Sequence, residues 1–191
     1  MPAWQAEAGS RLTAALLAEL AVLSEHIQAL VKRLTELLAQ HPDAAIFQSL
    51  PRVGPVLVAG LIGELGDCRD KFTHANALQA LAGTSPITIQ SGSAKRVAFR
   101  FACNKPLRYL LQQFARQSAY PRGSAWARGY LANQFERGHS KSRAYRALAN
   151  RWLVIIFRMW QDRSLYDEHY HLSNIAQRGS RLPSLTLADV A

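Results

Sequence analysis

The sequence predicts a mainly α-helical fold: a long N-terminal coiled-coil helix, a helix-hairpin-helix, and a helical C-terminal domain with a small β-hairpin or extended loop near residues 84–101. Three observations carry this. Residues 12–38 contain no Pro or Gly and are dominated by leucine. Two short apolar segments flank a Pro-x-x-Gly-Pro turn at residues 51–55. Beyond residue 104, three stretches with helical spacing follow one another, and the last carries an apolar stripe from Tyr145 to Trp160.

In the first stretch Leu16, Leu20, Leu23, Ile27, Leu30, Leu34 and Leu37 alternate spacings of four and three, a heptad seam. Leu17, Val31 and Leu38 fall on neighbouring positions and widen the stripe. At 1.5 Å per residue the helix runs roughly 40 Å. Such a stripe needs a partner, whether a second copy, another domain or the rest of the chain. His41-Pro42-Asp43 ends it, because the residue before a proline avoids the helical region.

The helix-hairpin-helix spans residues 46–67, with its turn at Pro51-Arg52-Val53-Gly54-Pro55. Such a turn presents backbone N–H groups at a helix N-terminus to a phosphate. It asks for a glycine for close approach and positive φ, then a helix start that tolerates proline. A simple αα-corner without a ligand has the same pattern. A short helix follows from Ala75 to Ala82 and stops at Gly83. Ile87 and Ile89, then Val97, Phe99 and Phe101, alternate with polar residues around Ser91-Gly92-Ser93, the pattern of a hairpin or extended loop. The later helices are expected at Pro106–Ser118, Ala125–Arg137 and Ser140–Arg163. Tyr145, Leu148, Trp152, Ile155, Ile156, Met159 and Trp160 form a core-facing stripe, with Arg143, Arg146, Arg151 and Arg158 largely off it. Periodicity is lost after Tyr166, so residues 169–191 are expected to form a flexible tail, frayed from Arg178 onward.

The 191 residues carry 23 Lys+Arg against 13 Asp+Glu, a formal net charge of +10. The excess is concentrated: residues 91–160 hold 14 basic side chains and one acid, Glu136. A block this one-sided repels itself unless a polyanion neutralises it, which points to nucleic acid rather than to a basic solubilising surface. The longest apolar run, Trp152 to Phe157, is cut by Arg158 and falls well short of the ~18 residues of a membrane span. No membrane partner and no signal peptide are expected, and the expected location is the cytoplasm. Two cysteines, Cys68 and Cys103, suffice neither for a disulfide framework nor for a zinc knuckle.

A metal-dependent nuclease needs converging carboxylates. Residues 51–160 offer only Glu64, Asp67, Asp70 and Glu136, whose ordinary roles are helix termination and surface solvation, and no metal site is expected. Asp167-Glu168-His169-Tyr170-His171 contains a His-x-His, but reads as a solvated segment. Nucleotide-binding glycine loops and the Gly-x-Ser-x-Gly elbow are absent from the sequence. What remains is serine in a basic setting: Ser91 and Ser93 in a Gly-containing turn, followed by Lys95, Arg96 and Arg100. A serine oxygen attacking a phosphodiester needs free approach, cations for the gathering charge and an acceptor for its proton. The first two are available in sequence; the third is not evident.

Leu50-Pro51-Arg52-Val53-Gly54-Pro55, Glu64-Leu65-Gly66-Asp67 with Phe72, Leu81-Ala82-Gly83-Thr84-Ser85-Pro86 and Gln90-Ser91-Gly92 occur in that order. Phe99-Arg100-Phe101-Ala102-Cys103-Asn104-Lys105-Pro106-Leu107-Arg108 follows, then Trp126-Ala127-Arg128 and the stretch from Ala147 to Tyr166. This series resembles the C-terminal domain of the insertion-sequence 110/116/902 family transposases over roughly residues 12–168. Arg52 stands where that family usually has glycine, and Thr84-Ser85-Pro86 where Gly-Leu-x-Pro is commoner.

The resemblance implies a coiled-coil helix at 1–43 and a transposase C-terminal domain at 44–168. Within the latter lie the helix-hairpin-helix, a serine loop at 84–101 and basic helices at 104–163. It implies Ser91 as the nucleophile for DNA strand cleavage and exchange, with Ser93 as the competing assignment. Val53, Gly54, Pro55, Lys95, Arg96, Arg100, Lys105 and Arg108 are the implied nucleic-acid contacts. DNA is the implied partner, with a guide RNA from the element and a second copy or partner helix along Leu16–Leu37. The family's metal site lies in an N-terminal RuvC-like domain, which this sequence is expected to lack. No cofactor is expected here, and Mg²⁺ enters only with that domain. The setting implied is a bacterial or archaeal cytoplasm, with nucleoid association when DNA is bound. The alternative is a non-catalytic helix-hairpin-helix nucleic-acid-binding or coiled-coil interaction fragment.

Overall fold

A computed structural model describes residues 2–177 of the chain, which divides into two compact units at His41/Pro42. The expected fraying of Arg178–Ala191 lies outside the described residues.

The first unit is one helix, α1 (Ala3–Leu38). It begins earlier than the leucine pattern requires, because Ala3–Arg11 contains good helix formers and an Arg11–Glu7 pair one turn apart (2.7 Å). Its end tightens through Gln40 N–H to Leu37 O and His41 N–H to Leu38 O before Pro42. The heptad residues Leu16, Leu20, Leu23, Ile27, Leu30 and Leu37 are each at least half exposed. The expectation that nothing approaches a membrane span needs correction. α1 is long and apolar enough to cross a membrane by length and composition, with an 18-residue window of mean hydropathy 1.5. Counting uninterrupted apolar runs misses this, since alanines and leucines spread around the helix raise the average despite Glu19 and Glu25.

The second unit is built from α2 (Ala44–Gln48), α3 (Pro55–Leu65), a 3-10 turn (Arg69–Lys71) and α4 (Ala75–Leu81). The hairpin strands β1 (Ile87–Ser91) and β2 (Ala94–Ala98) follow. Four helices complete it: α5 (Lys105–Ser118), α6 (Ala125–Glu136), α7 (Lys141–Asp162) and α8 (Glu168–Gln177). Starts are set by side-chain caps: Asn104 accepts from Leu107 N–H, Ser124 from Ala127 N–H and Ser140 from Arg143 N–H. Gly83, at φ +63, turns the chain out of α4.

α7 is the central element and packs against α4, α5 and α6. Leu148, Ala149, Trp152 and Leu153 are fully buried, and Ile156 and Trp160 nearly so. The predicted stripe is thus the core, with Tyr145 and Ile155 half-buried at its margins. Trp152 is the hub: its ring lies 4.9 Å from Phe114, 4.7 Å from Trp126 and 5.3 Å from Tyr166. Its indole N–H donates to Ser118 Oγ at 2.9 Å, satisfying a group that burial would otherwise penalise. Asp43 joins the start of this unit to the end of α7, accepting from the Arg69 guanidinium and from Trp160 Nε1 (3.0 Å), while Arg69 Nε donates to Trp160 O at 2.7 Å. Thr84 and Gln79 fasten the exit of α4 to Asn150 on α7.

Part of the stretch expected as a tail is helical, α8 occupying Glu168–Gln177. Its anchors are polar and reach far in sequence, so no apolar periodicity announces it. Glu168 Oε1 accepts from Ser124 Oγ (3.0 Å), Ala125 N–H (2.6 Å) and Trp126 N–H (3.3 Å), closing the N-terminus of α6.

Candidate nucleic-acid interface and serine hairpin

The register of the hairpin pairs Ser91 with Ala94, Gln90 with Lys95 and Ile89 with Arg96. Two residues, Gly92 and Ser93, close it, with Gly92 at φ +56 in the position where hairpin turns favour glycine. Directly paired residues share a face and successive ones alternate. Ser91 and Arg96 therefore share one face, and Lys95 lies on the other with Gln90. Ser91, Gly92, Ser93, Lys95 and Arg96 are all exposed. The Ser91 hydroxyl has free approach and makes no hydrogen bond to the described residues, so none of them acts as a pre-positioned base.

The Pro51–Gly54 turn departs from expectation in its backbone. The left-handed residue is Arg52, at φ +55, whereas Gly54 is extended at φ −101. Gly54 precedes Pro55, the first residue of α3, which lacks a side-chain cap. Arg52 is held by its far end: Nη1 donates to Pro121 O at 2.8 Å and the guanidinium lies 6.0 Å from the Tyr120 ring centre. It ties this turn to the α5–α6 loop, and that contact holds a non-glycine residue in a left-handed conformation that costs on the order of 1 kcal/mol. Val53, Gly54 and Pro55 are half-buried.

The other predicted contacts divide. Lys105 is exposed at the start of α5, and Arg100 is half-buried with its Nε buried and unpartnered. Arg108 is committed internally, with Nη2 donating to Arg100 O (2.6 Å) and Nε to Ala82 O (3.4 Å). A Cβ at Gly83 would lie 2.3 Å from Arg108 Nη2, so glycine is required for this clamp to close. Arg108 also lies over Phe99, 4.5 Å from the ring centre, and Arg146 of α7 reaches the same ring at 4.6 Å. Burial lowers the Arg146 pKa, and Arg108 and Arg143 lower it further. Sequence reading set Arg146 off the apolar stripe and missed this stacking; the paired basic residues Arg143 and Arg146 beside an aromatic-rich strand exit were the available signal.

Among the described residues no three His, Cys, Asp or Glu side chains converge. Glu64 accepts from Asn104 Nδ2 at 2.7 Å, which joins α3 to the start of α5. In the His-x-His segment, Glu168 is the α6 cap and His171 packs on Trp126 at 4.9 Å, where burial lowers its pKa. An open groove of about 800 Å³ separates α8 from α6 and α7, lined in part by Tyr130, Arg137, Arg151 and Tyr170.

Residues 44–132, covering α2 through most of α6, match the model of the transposase IS116/IS110/IS902 family. The mini-circle protein for IS117 of Streptomyces coelicolor, which carries a transposase name, is 34% identical over 150 residues, 78% of this chain and 35% of its own length. The IS110 43.6 kDa protein of the same organism is 29% identical over 80% of this chain and 37% of its own. The IS116 44.8 kDa protein of Streptomyces clavuligerus is 27% identical over 82% of this chain and 39% of its own. The chain thus spans little more than a third of the length of these relatives. Through residues 44–132, it belongs to the transposase IS116/IS110/IS902 family.

Proposed function

We propose that this chain is a DNA-binding part of an insertion-sequence transposase, contacting nucleic acid through residues 91–160 and carrying Ser91 as the cleaving nucleophile. One observation carries the reading: an exposed serine hydroxyl, unbonded among the described residues, ends the first strand of a hairpin that opens the most cationic block of the chain. In the proposed step Ser91 Oγ bonds to a backbone phosphorus and the P–O bond to the leaving sugar oxygen breaks. The hydroxyl proton leaves to a base outside the described residues. Arg96 shares the Ser91 face and is the nearest candidate along the hairpin to meet the phosphorane charge; Lys95, Arg100 and Lys105 hold flanking phosphates. Arg108 supports this surface from behind. Val53, Gly54 and Pro55 form a second backbone contact, and a guide RNA from the element is a further proposed partner. The proposed setting is the cytoplasm, on the nucleoid.

A second reading is favoured by α1: its exposed heptad seam suits pairing with a second copy or another helix, making this an interaction fragment. The two readings separate in one experiment. The chain and its Ser91→Ala variant are incubated with element-end DNA, guide RNA and magnesium, with and without the remaining part of a full-length relative. A DNA–protein adduct present with serine and absent with alanine, binding being unchanged, is the expected result. An adduct that survives in Ser91→Ala removes Ser91 from the mechanism, and Ser93→Ala then identifies the competing residue.

A further inference from the structure

We propose that Arg146, stacked with Arg108 on Phe99 and flanked by Arg143, holds a phosphodiester oxygen of the nucleic-acid backbone. The inference deepens the nucleic-acid reading above and rests on it. Two guanidinium groups share the Phe99 ring at 4.5 and 4.6 Å, both within cation–π range. Their hydrogen bonding differs. Arg108 spends Nε and Nη2 on the carbonyls of Ala82 and Arg100. Arg146 has five N–H donors and no acceptor among the described residues, though it is half-buried. Next to Phe99 in the chain, Arg100 Nε is buried and unpartnered as well.

Among the described residues no carboxylate acts on Arg146. The influences on Arg146 are burial, Arg108 and Arg143, all of which disfavour its charge. A concentration of like charge without a counterion is costly. A phosphate oxygen answers this, since the planar guanidinium fork fits it in two parallel bonds and stacking on Phe99 fixes the fork in advance. Arg143, one helical turn earlier and exposed, extends the same surface outward. A phosphate within a polynucleotide suits the place better than a free ion. The cluster follows directly on β2, so Lys95 and Arg96 on the hairpin and Arg143 on α7 give a backbone contacts on either side.

The test measures binding of the full chain to labelled DNA duplex and to RNA across a salt series, for wild type, Arg146→Gln, Arg146→Lys and Arg143→Gln. Arg146→Gln is expected to weaken binding about tenfold and to lower the slope of log K against log salt by about 0.9, the value for one lost phosphate contact. Arg146→Lys retains the slope with reduced affinity, because the charge stays and the fork is lost. Arg143→Gln, an exposed change that disturbs no packing, lowers the slope similarly and keeps the test open if Arg146→Gln unfolds. Inorganic phosphate should raise the wild-type Tm above that in chloride of equal ionic strength, and not that of Arg146→Gln. Steeply salt-dependent wild-type binding with unaltered slopes in Arg146→Gln and Arg143→Gln overturns the inference alone. Salt-independent wild-type binding overturns the nucleic-acid reading and the inference with it. An effect confined to DNA or to RNA identifies which backbone occupies the site.

Discussion

Removing the Glu168 carboxylate tests whether α8 is part of the folded core. Glu168 Oε1 accepts three hydrogen bonds at the start of α6, from Ser124 Oγ, Ala125 N–H and Trp126 N–H. Ser124, Ala125, Trp126 and Ala127 are all buried, so water cannot readily replace the carboxylate. A helix cap is worth about 1 kcal/mol, and a carboxylate at the positive end of a helix adds roughly 0.3–1 kcal/mol. Leaving a buried N–H unpaired costs about 1–3 kcal/mol. These overlap, and together they set the loss for Glu168→Ala at about 2–3 kcal/mol, or a Tm decrease of roughly 4–12 °C for a chain of this size. Glu168→Gln keeps an acceptor and loses the charge, so about 1 kcal/mol is expected. Urea unfolding followed by tryptophan fluorescence is the assay. Trp126, Trp152 and Trp160 are buried in this unit while Trp4 of α1 is exposed, so the signal reports the second unit. A loss below about 0.5 kcal/mol in Glu168→Ala would show that α8 is undocked in solution, and the capping argument fails.

Two further perturbations probe the same unit. Asp43→Ala strands the Arg69 guanidinium and the Trp160 indole N–H and should cost about 3–5 kcal/mol by denaturant unfolding, with Asp43→Asn milder because it keeps an acceptor for the indole; equal losses in the two would contradict the role given to the charge. Burial first, and Glu168 second, raise the Tyr166 pKa well above its ordinary value. The folded state therefore holds that proton more tightly than the unfolded chain, so its stabilisation is complete below a pH of about 10 and is lost as pH rises beyond it. Tyr166→Phe should flatten the alkaline arm of the stability–pH profile, and an unchanged arm would rule out Tyr166 as its source.

Local pattern made most of the fold legible. The leucine seam marks α1, and the spacing from Leu148 to Trp160 marks the buried face of α7. The Ile87/Ile89 and Val97/Phe99 alternation around Gly92 marks the hairpin, whose register the structure supplies. α8 was illegible because what holds it is a carboxylate and a phenol reaching residues about forty positions earlier, Tyr166 OH accepting from Trp126 Nε1 at 2.8 Å among them. Pairings across such separations leave no periodicity in either partner. The hydropathy of α1 was hidden for another reason, since it is a property of a window rather than of a run.

The basic block shows the same limit where it bears on function. Counting Lys and Arg over residues 91–160 locates a cationic surface but treats its members as equivalent, and the fold sorts them. Arg108 turns inward to hold the carbonyls of Ala82 and Arg100. Outside the block, Arg52 turns away to Pro121 and takes the backbone conformation that glycine usually provides. Lys95 and Arg96, adjacent in sequence, are placed on opposite faces of the hairpin by its pleat, and only Arg96 joins Ser91. Arg146, which sequence spacing assigned to the surface of a helix, is half-buried on an aromatic ring with its donors unspent. A charge that the fold has already neutralised with backbone carbonyls has little left to offer a phosphate; one held in place by stacking alone keeps its full hydrogen-bonding capacity. On that criterion Arg146 and Arg96 outrank Arg108 as proposed nucleic-acid contacts, an ordering that the distribution of charge along the chain does not contain.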